Sequence, residues 1–447
     1  MPSRLHLFVA FAFTVMADPV SSVAYALEAA LRALDGNPAS LVATMALVVG
    51  IIVAVSATYH QLIGRFPAGG GGPEGVAEAF GEGWAFLPLG ALLVDFTLTV
   101  AVSCAAGAAA LIAYAPDLAP ARPAIALVLV LAVAAGVLVG HRGRIGFALA
   151  TQLFLLLALA IVVGGLFGGD GVTTGGETSS ADAPLLANVS LAAVLAALPL
   201  GMALATGVEA PSNAIAQLPQ LGARGRRRFG RGTLWLMVAI VGSLTVSLAV
   251  LVVELGIGLP DSDSTLLAEL AREALGGGAA FAGFQAFSAL LLLAAAASSY
   301  LAGSGVLKAL ATVGADGAGL LPGRLRRENR FLVAQWGVFL IAVVAAAMIL
   351  AAGGREQELV QFYAVSVFAS FLAATLSCAK LSHRDGRLGA MSLNLCGAAL
   401  VALVLALNLT RLDSAIALLA SLLVALYFWA GWVSKGRPRG VVKRAAA

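Results

Sequence analysis

Three acidic side chains stand inside apolar runs of this 447-residue chain, each with hydroxyl groups spaced around it. Asp18 is followed by Ser21, Ser22 and Tyr25, Asp95 by Thr99 and Ser103, and Glu209 is preceded by Thr206. Asp95, Thr99 and Ser103 fall at i, i+4 and i+8, one stripe on one helical face. At 1.5 Å of rise per residue the stripe is a ladder of oxygen atoms about 12 Å long. Carboxylate and hydroxyl oxygens, with no sulfur or imidazole among them, suit a hard cation. Mg²⁺ sheds water reluctantly and Ca²⁺ asks for more acids close together, so a monovalent alkali ion is the better match. The residues alone leave Na⁺ and K⁺ equally open.

The elements that must position these groups are membrane-spanning helices. The chain is 60% hydrophobic and 11% charged, with a mean hydropathy of +0.97. Soluble domains carry about 45–50% apolar and about 25% charged residues, so too few charges exist here to cover a water-facing surface. The apolar runs are continuous rather than alternating, which excludes an outer-membrane barrel. The fold class is therefore all-α and integral to the membrane. Spans are expected at about 6–34, 39–64, 84–114, 122–140, 145–166, 190–217, 232–255, 279–311, 331–352, 358–381, 388–408 and 413–434, about twelve at roughly 20 residues each. The first run has no small-residue cleavage site and contains Asp18-Pro19, so it reads as a retained span rather than a signal peptide. Cys104, Cys378 and Cys396 all lie within apolar runs and read as small core residues, not a disulfide framework. Two longer loops, about 167–189 and 256–278, are rich in Gly, Ser and Asp, and the second has the pattern of a short helix from Ser264 to Leu275.

Charge orients the spans. One alternate set of loops and span ends, which includes Arg65, the run Arg224 to Arg231, the run Arg324 to Arg330 and the tail after residue 434, carries 22 of the 27 Lys and Arg. The other set carries only Arg32, Arg122, Arg272, Arg355 and Arg411. Positive loops stay inside, so both termini are expected in the cytoplasm. The arginine runs serve foremost as topology anchors, with lipid head groups as the alternative. The net charge of +4 sits in these loops, so no nucleic-acid partner is expected.

Two spans carry helix interruptions beside their acids. Proline at 19 cannot donate to the carbonyl of Val15, which predicts a break near mid-depth in the first span. Gly207 and Pro211 predict a second in the sixth. Corresponding breaks in two halves of a transporter point to a central site between inverted repeats. A charged residue at the centre of a span costs roughly 2.5–3.5 kcal/mol. Three unpaired carboxylates would then cost on the order of 8–10 kcal/mol, comparable to a whole protein's stability. No Lys or Arg lies mid-span to pair with them, so they must be neutralised by protons or by a cation that comes and goes. Asp18 also occupies the place where amino acid carriers of this arrangement hold a substrate carboxylate, and would repel one.

Taken together, Asp18-Pro19-Val20-Ser21-Ser22-Val23-Ala24-Tyr25, the loop Phe66-Pro67-Ala68-Gly69-Gly70-Gly71-Gly72, the stretch Asp95 to Ser103 and Thr206-Gly207-Val208-Glu209 resemble the amino acid–polyamine–organocation superfamily, and within it the KimA-type potassium importers. The resemblance covers the chain up to the last span. It implies a LeuT-type fold of five-plus-five inverted repeats (about 6–166 and 190–352) with discontinuous helices 1 and 6, two extra helices (about 358–434) and a short basic tail from 435 to 447. It also implies proton-driven K⁺ uptake at the cell membrane. The potassium path in that family is lined by residues that match Asp18, Tyr25, Asp95, Thr99, Ser103, Thr206 and Glu209, with Tyr363 of the tenth span matching an associated tyrosine. Asp18 or Glu209 is expected to exchange the proton. Importers of this type usually continue into a large cytosolic domain that binds a cyclic dinucleotide. This chain ends at Ala447, so that regulation and dimerisation through that domain are not expected. Pro19 also replaces a residue that is commonly small and apolar in the family.

The runner-up is a proton-coupled amino acid or cationic amine symporter of the same fold. An enzyme is not expected: there is no His-Glu-x-x-His or GxxxxGK[ST], and His6, His60, His141 and His383 are scattered. Expected partners are the bilayer, potassium and protons, or an amino acid in the alternative reading. No cofactor is implied, and a homodimer is left open. The charge asymmetry makes a direct prediction. A fluorescent protein fused after Ala447 will be bright in cells, and alkaline phosphatase fused after Gly258 will be active; the reverse pattern would invert the topology.

Overall fold

With no water at hydrocarbon depth, an apolar run must satisfy its own N–H and C=O groups, and every long run of this chain does so as a helix. The computed structural model describes residues 4–140, 144–167, 189–312 and 319–442, and in a few places (144–148, 167, 217, 363 and 364) not the side chain. Most of the 167–189 loop and the end of the tail lie outside those residues. Among the described residues, eleven helices are long and apolar enough to cross a membrane. In chain order, and including one shorter helix, they are α1 (Arg4–Ala33), α2 (Leu41–Arg65), α3 (Phe86–Tyr114), α4 (Arg122–Leu138), α5 (Arg144–Phe167), α6 (Leu191–Ala214), α7 (Ala223–Glu254), α8 (Ala279–Thr312), α9 (Gln335–Ala351), α10 (Glu356–Arg384), α11 (Leu388–Asn408) and α12 (Leu412–Ser434). No strand is present among the described residues.

Eleven expected spans therefore meet the length and apolarity of a crossing. The remaining one, expected over 331–352, forms only the 17-residue helix α9. Its start is delayed because Asn329 Oδ1 accepts from the backbone N–H groups of Phe331 (2.9 Å) and Val333 (3.1 Å), holding those residues in a turn. Two further differences have local causes. The Arg224 to Arg231 run is not loop but the first turns of α7, since arginine is a good helix former. A helix, Gly71–Phe80, also fills the connection between α2 and α3. The short helix expected in the 256–278 loop forms as Leu266–Leu275, with the Thr265 side chain accepting from Ala268 N–H as its N-cap.

The helices divide by how much of themselves they bury in protein. The most apolar window of α3 is 83% buried, those of α10 and α6 are 69% and 67%, while α12 buries only 22%. Polar side chains at membrane depth survive only where protein or water surrounds them, and the acid-bearing helices α3 and α6 are among the most enclosed. Peripheral helices turn leucines outward, such as Leu419, Leu423 and Leu426 of α12. Cys104 and Cys378 are buried as expected; Cys396 is exposed on α11, whose outward face meets lipid rather than core.

Small residues let the helices approach closely. Gly90 brings α3 against α12: a Cβ there would stand 2.6 Å from the backbone nitrogen of Ala425. Gly303 of α8 similarly receives Phe96 and Ile341, so Phe96 is a packing residue facing away from the polar stripe. A backbone neighbour cannot rotate aside. Gly90→Val should therefore destabilise by about 1–3 kcal/mol, read as a lowered thermal midpoint of the detergent-solubilised protein, whereas Gly136→Ala, with open space around it, should leave that midpoint within a degree or two.

A candidate ion-binding site between two interrupted helices

The interruption in α6 is a true unwinding. Helix runs from Leu191 to Gly201 and tightens into a 3-10 turn at Met202–Ala205. Thr206 is extended at φ −62°, ψ 142°, and Gly207 adopts φ +77° before helix resumes at Ala210–Ala214. Gly207 is required by that left-handed turn, and Pro211 cannot donate back across it. The interruption in α1 falls where expected but is smaller than expected. The helix divides at Met16, next to the Val15 carbonyl to which Pro19 has no N–H to donate. The turns on either side keep their bonds, Met16 N–H to Ala12 O and Val20 N–H to Met16 O, both 2.9 Å, so the backbone does not unwind. Pro19 lies in the first turn of the second segment, Ala17–Ala33, where a missing donor costs least.

The two interruptions touch. A Cβ on Gly207 would stand 2.7 Å from Pro19 Cδ and 3.0 Å from Asp18 Oδ2, so the unwound backbone of α6 lies directly against the Asp18 carboxyl. Ser22 bridges the same gap, 2.8 Å from Thr206 Oγ1 and 2.8 Å from the Tyr25 hydroxyl. Ser21 donates to the Asp18 carbonyl at 2.7 Å, a local bond that spends its proton but leaves its oxygen lone pairs. The glycine loop supports the far side: Gly69 and Gly71 have positive φ and press on Ala216 and Ser212, just beyond the unwound turn.

Asp18, Asp95 and Glu209 are 7%, 3% and 5% exposed. Asp95 lies within electrostatic range of both other acids, and Asp18 of Glu209. None of the three forms an ion pair among the described residues. Nor do they close on one point: no group of three or more His, Cys, Asp or Glu among those residues stands close enough to hold a single metal ion. Among the described residues, Asp18 Oδ1, Asp95 Oδ1 and Ser103 Oγ are buried with no hydrogen-bond partner, whereas Glu209 Oε2 accepts from the Tyr59 hydroxyl at 2.9 Å and from Ser370 Oγ at 3.5 Å. Thr99 is fully buried on the α3 stripe between Asp95 and Ser103. Tyr363 lies in α10, but its side chain is outside the described residues. Within them, α10 contributes Ser370.

Tyr59 and Ser370 were missed in the sequence, where a tyrosine or serine in a span is usually packing; the polar group Thr58, Tyr59, His60 and Gln61 in α2 was the available signal. A small cavity of about 20 Å³, room for about one water, is lined by Ala24, Ala106, Gln285, Ser288 and Glu356. Glu356 also lines a larger cavity.

Buried, unpartnered oxygens beside two interrupted helices of a polytopic bundle are what a membrane transporter needs. The chain belongs to the amino acid permease family, whose sequence profile matches residues 5–433. Potassium transporter KimA of Bacillus subtilis (strain 168) is 30% identical over 415 residues, covering 87% of this chain and 64% of the relative. The chain thus spans just under two thirds of that relative's length. The superfamily expected from the sequence and the absence of an enzymatic role are both borne out: this is a multi-pass membrane transporter.

The contact at Gly207 is testable. Gly207→Ala adds both left-handed strain of roughly 1–2 kcal/mol and a clash with Pro19, and should cut transport at least tenfold. Gly256→Ala, also at positive φ (+62°) but with nothing within 4 Å, carries the strain without the clash and should transport normally. Equal losses would show that the contact between α1 and α6 does not matter.

Proposed function

We propose that the protein takes up potassium coupled to protons by alternating access. The observation that supports this most is the set of three buried acids, two of them with an unpartnered oxygen and none in an ion pair among the described residues. A permanent structural role would call for fixed partners at those atoms, and a buried polar atom left unpaired costs about 1–3 kcal/mol. A transported cation supplies the partner intermittently. K⁺ has no strict coordination geometry, and carbonyl, hydroxyl and carboxylate oxygens are its natural ligands. In this reading Asp18, Tyr25, Thr206 and Ser22 contribute from the interrupted helices, while Asp95, Thr99 and Ser103 contribute from α3. The relative named for potassium transport adds to it.

The acids would have different roles. Glu209 already accepts two hydrogen bonds and has less capacity for an ion, which suits it, or alternatively Asp18, to carry the proton. Removing one negative charge there leaves the remaining acids to balance K⁺. Helices α1 to α5 (about 6–166) and α6 to α10 would act as inverted repeats, the second running past the expected bound of 352 to take in α10, with α1 and α6 rocking against the scaffold and α11 and α12 outside it. Arginine-rich loops at the cytoplasmic face would place both termini inside the cell membrane. A second reading, transport of an amino acid or cationic amine with protons, is favoured by the description of the matched family. Asp18 beside the α6 turn weighs against an amino acid carboxylate and leaves an amine as its stronger form.

Asp95→Asn keeps shape and removes the charge. In a host unable to grow without added potassium, the native chain should restore growth at low K⁺ and the variant should fail, with equal amounts of both in the membrane. Full rescue by Asp95→Asn would remove Asp95 from the path.

A further inference from the structure

At the end of the bundle opposite the arginine-rich one lies a cavity of about 570 Å³, within the size range of small-molecule sites. Of the five basic residues expected on that face, four line it: Arg32 from α1, Arg122 from α4, Arg355 at the start of α10 and Arg411 at the start of α12. Three carboxylates join them, and two are committed to the walls. Glu28, 1% exposed, binds Arg32 at 2.8 Å and accepts from Leu266 N–H at 3.0 Å, tying α1 to the helix Leu266–Leu275. Glu356, 6% exposed, faces Arg122 at 3.6 Å. Arg122 also reaches the Ser262 carbonyl and stands 3.9 Å from Asp263.

The other two guanidiniums are not neutralised in this way. Among the described residues, neither Arg355 nor Arg411 has a carboxylate within 4.0 Å. Arg411 donates to Gln361 Oε1 at 3.1 Å, and the amide of Gln361 in turn donates to Glu358, the third acid, at 3.3 Å. Asp413 acts on Arg411 only from longer range. Four arginines from four helices therefore converge on one concave space, and two of them, Arg355 and Arg411, have no carboxylate within ion-pair reach among the described residues. Guanidinium matches the paired oxygens of carboxylate or phosphoryl groups.

We propose that this vestibule is a binding site for an oxyanion, held between Arg355 and Arg411. The bound group is a phosphoryl or carboxyl function, whether from a free solute or a lipid head group. It occupies a place distinct from the three buried acids, and the proposal stands whether or not the cargo is potassium.

Binding of radiolabelled inorganic phosphate to the purified full-length chain, by equilibrium dialysis in neutral detergent with chloride held constant, tests this. Saturable binding of one phosphate per chain is expected, displaced by sulfate but not by added chloride. Arg355→Gln and Arg411→Gln, each checked for an unchanged thermal midpoint, should each weaken it at least tenfold. Arg272→Gln, the fifth arginine of that face, which pairs with Glu269 away from the cavity, should not. Repeating the measurement in nanodiscs separates the sources. Binding retained in phosphatidylglycerol identifies a free anion, and binding lost there but kept in phosphatidylcholine identifies the lipid phosphoryl group at the same arginines. Non-saturable binding to the native chain, or binding unchanged in both arginine variants, overturns the proposal.

Discussion

The structure depends on burying carboxylates without a countercharge. Asp18 and Asp95 are buried, each with an unpartnered oxygen and neither in an ion pair among the described residues, an arrangement that folding alone would not favour. What makes it tolerable is enclosure. The helices that carry the acids are wrapped by the others, so that the price in free energy is set by a small protein-lined space and not by lipid. The leucine-rich outer faces of α11 and α12, the close glycine contacts of α3 and α8, and the glycine loop beneath α6 all serve that enclosure.

The same constraint explains why irregular backbone appears where it does. An unwound segment frees carbonyl and N–H groups that hydrocarbon cannot satisfy, so it is confined to the protein's centre. Thr206 and Gly207 supply that segment, and Ser22 closes the gap across to α1. Because Gly207 and Pro19 are in contact, movement of either helix must displace the other. The two interruptions form one joint, and the acid between them feels any change in its geometry. The vestibule at the opposite end is built on different terms, with each buried acid paired to an arginine, Glu28 to Arg32 and Glu356 to Arg122. Contrast between the paired and the unpaired sets separates groups that hold helices together from groups left available to a ligand.

How much of this was legible in the sequence varied with the kind of signal. Asp18, Asp95 and Glu209 were conspicuous because a charge in an apolar run has few innocent explanations. Spans and the charge asymmetry of the loops followed from composition alone, and eleven spans formed as expected. The α1 interruption was legible in position and not in extent: Pro19 leaves the Val15 carbonyl without its donor, but because Pro19 falls in the first turn of the segment after Met16, the helix divides at one residue and does not unwind. Tyr59 and Ser370 were invisible because their residue types are ordinary in a span and only the fold brings them to Glu209. Glu28 was overlooked although its i, i+4 spacing from Arg32 is a recognisable pair. The charge pattern of the loops put Arg32, Arg122, Arg355 and Arg411 on one face, but their convergence on one cavity is a tertiary fact.

The central claim, that the unpaired acids await an alkali cation, is tested most directly by flux in purified form. Proteoliposomes containing the native chain and a trapped pH indicator should acidify inside when K⁺ is added outside. Rb⁺ should substitute in part, Na⁺ should do so weakly, and a mixture of amino acids and amines should have no effect. Acidification driven by an amino acid or amine, with no response to K⁺, would contradict the account.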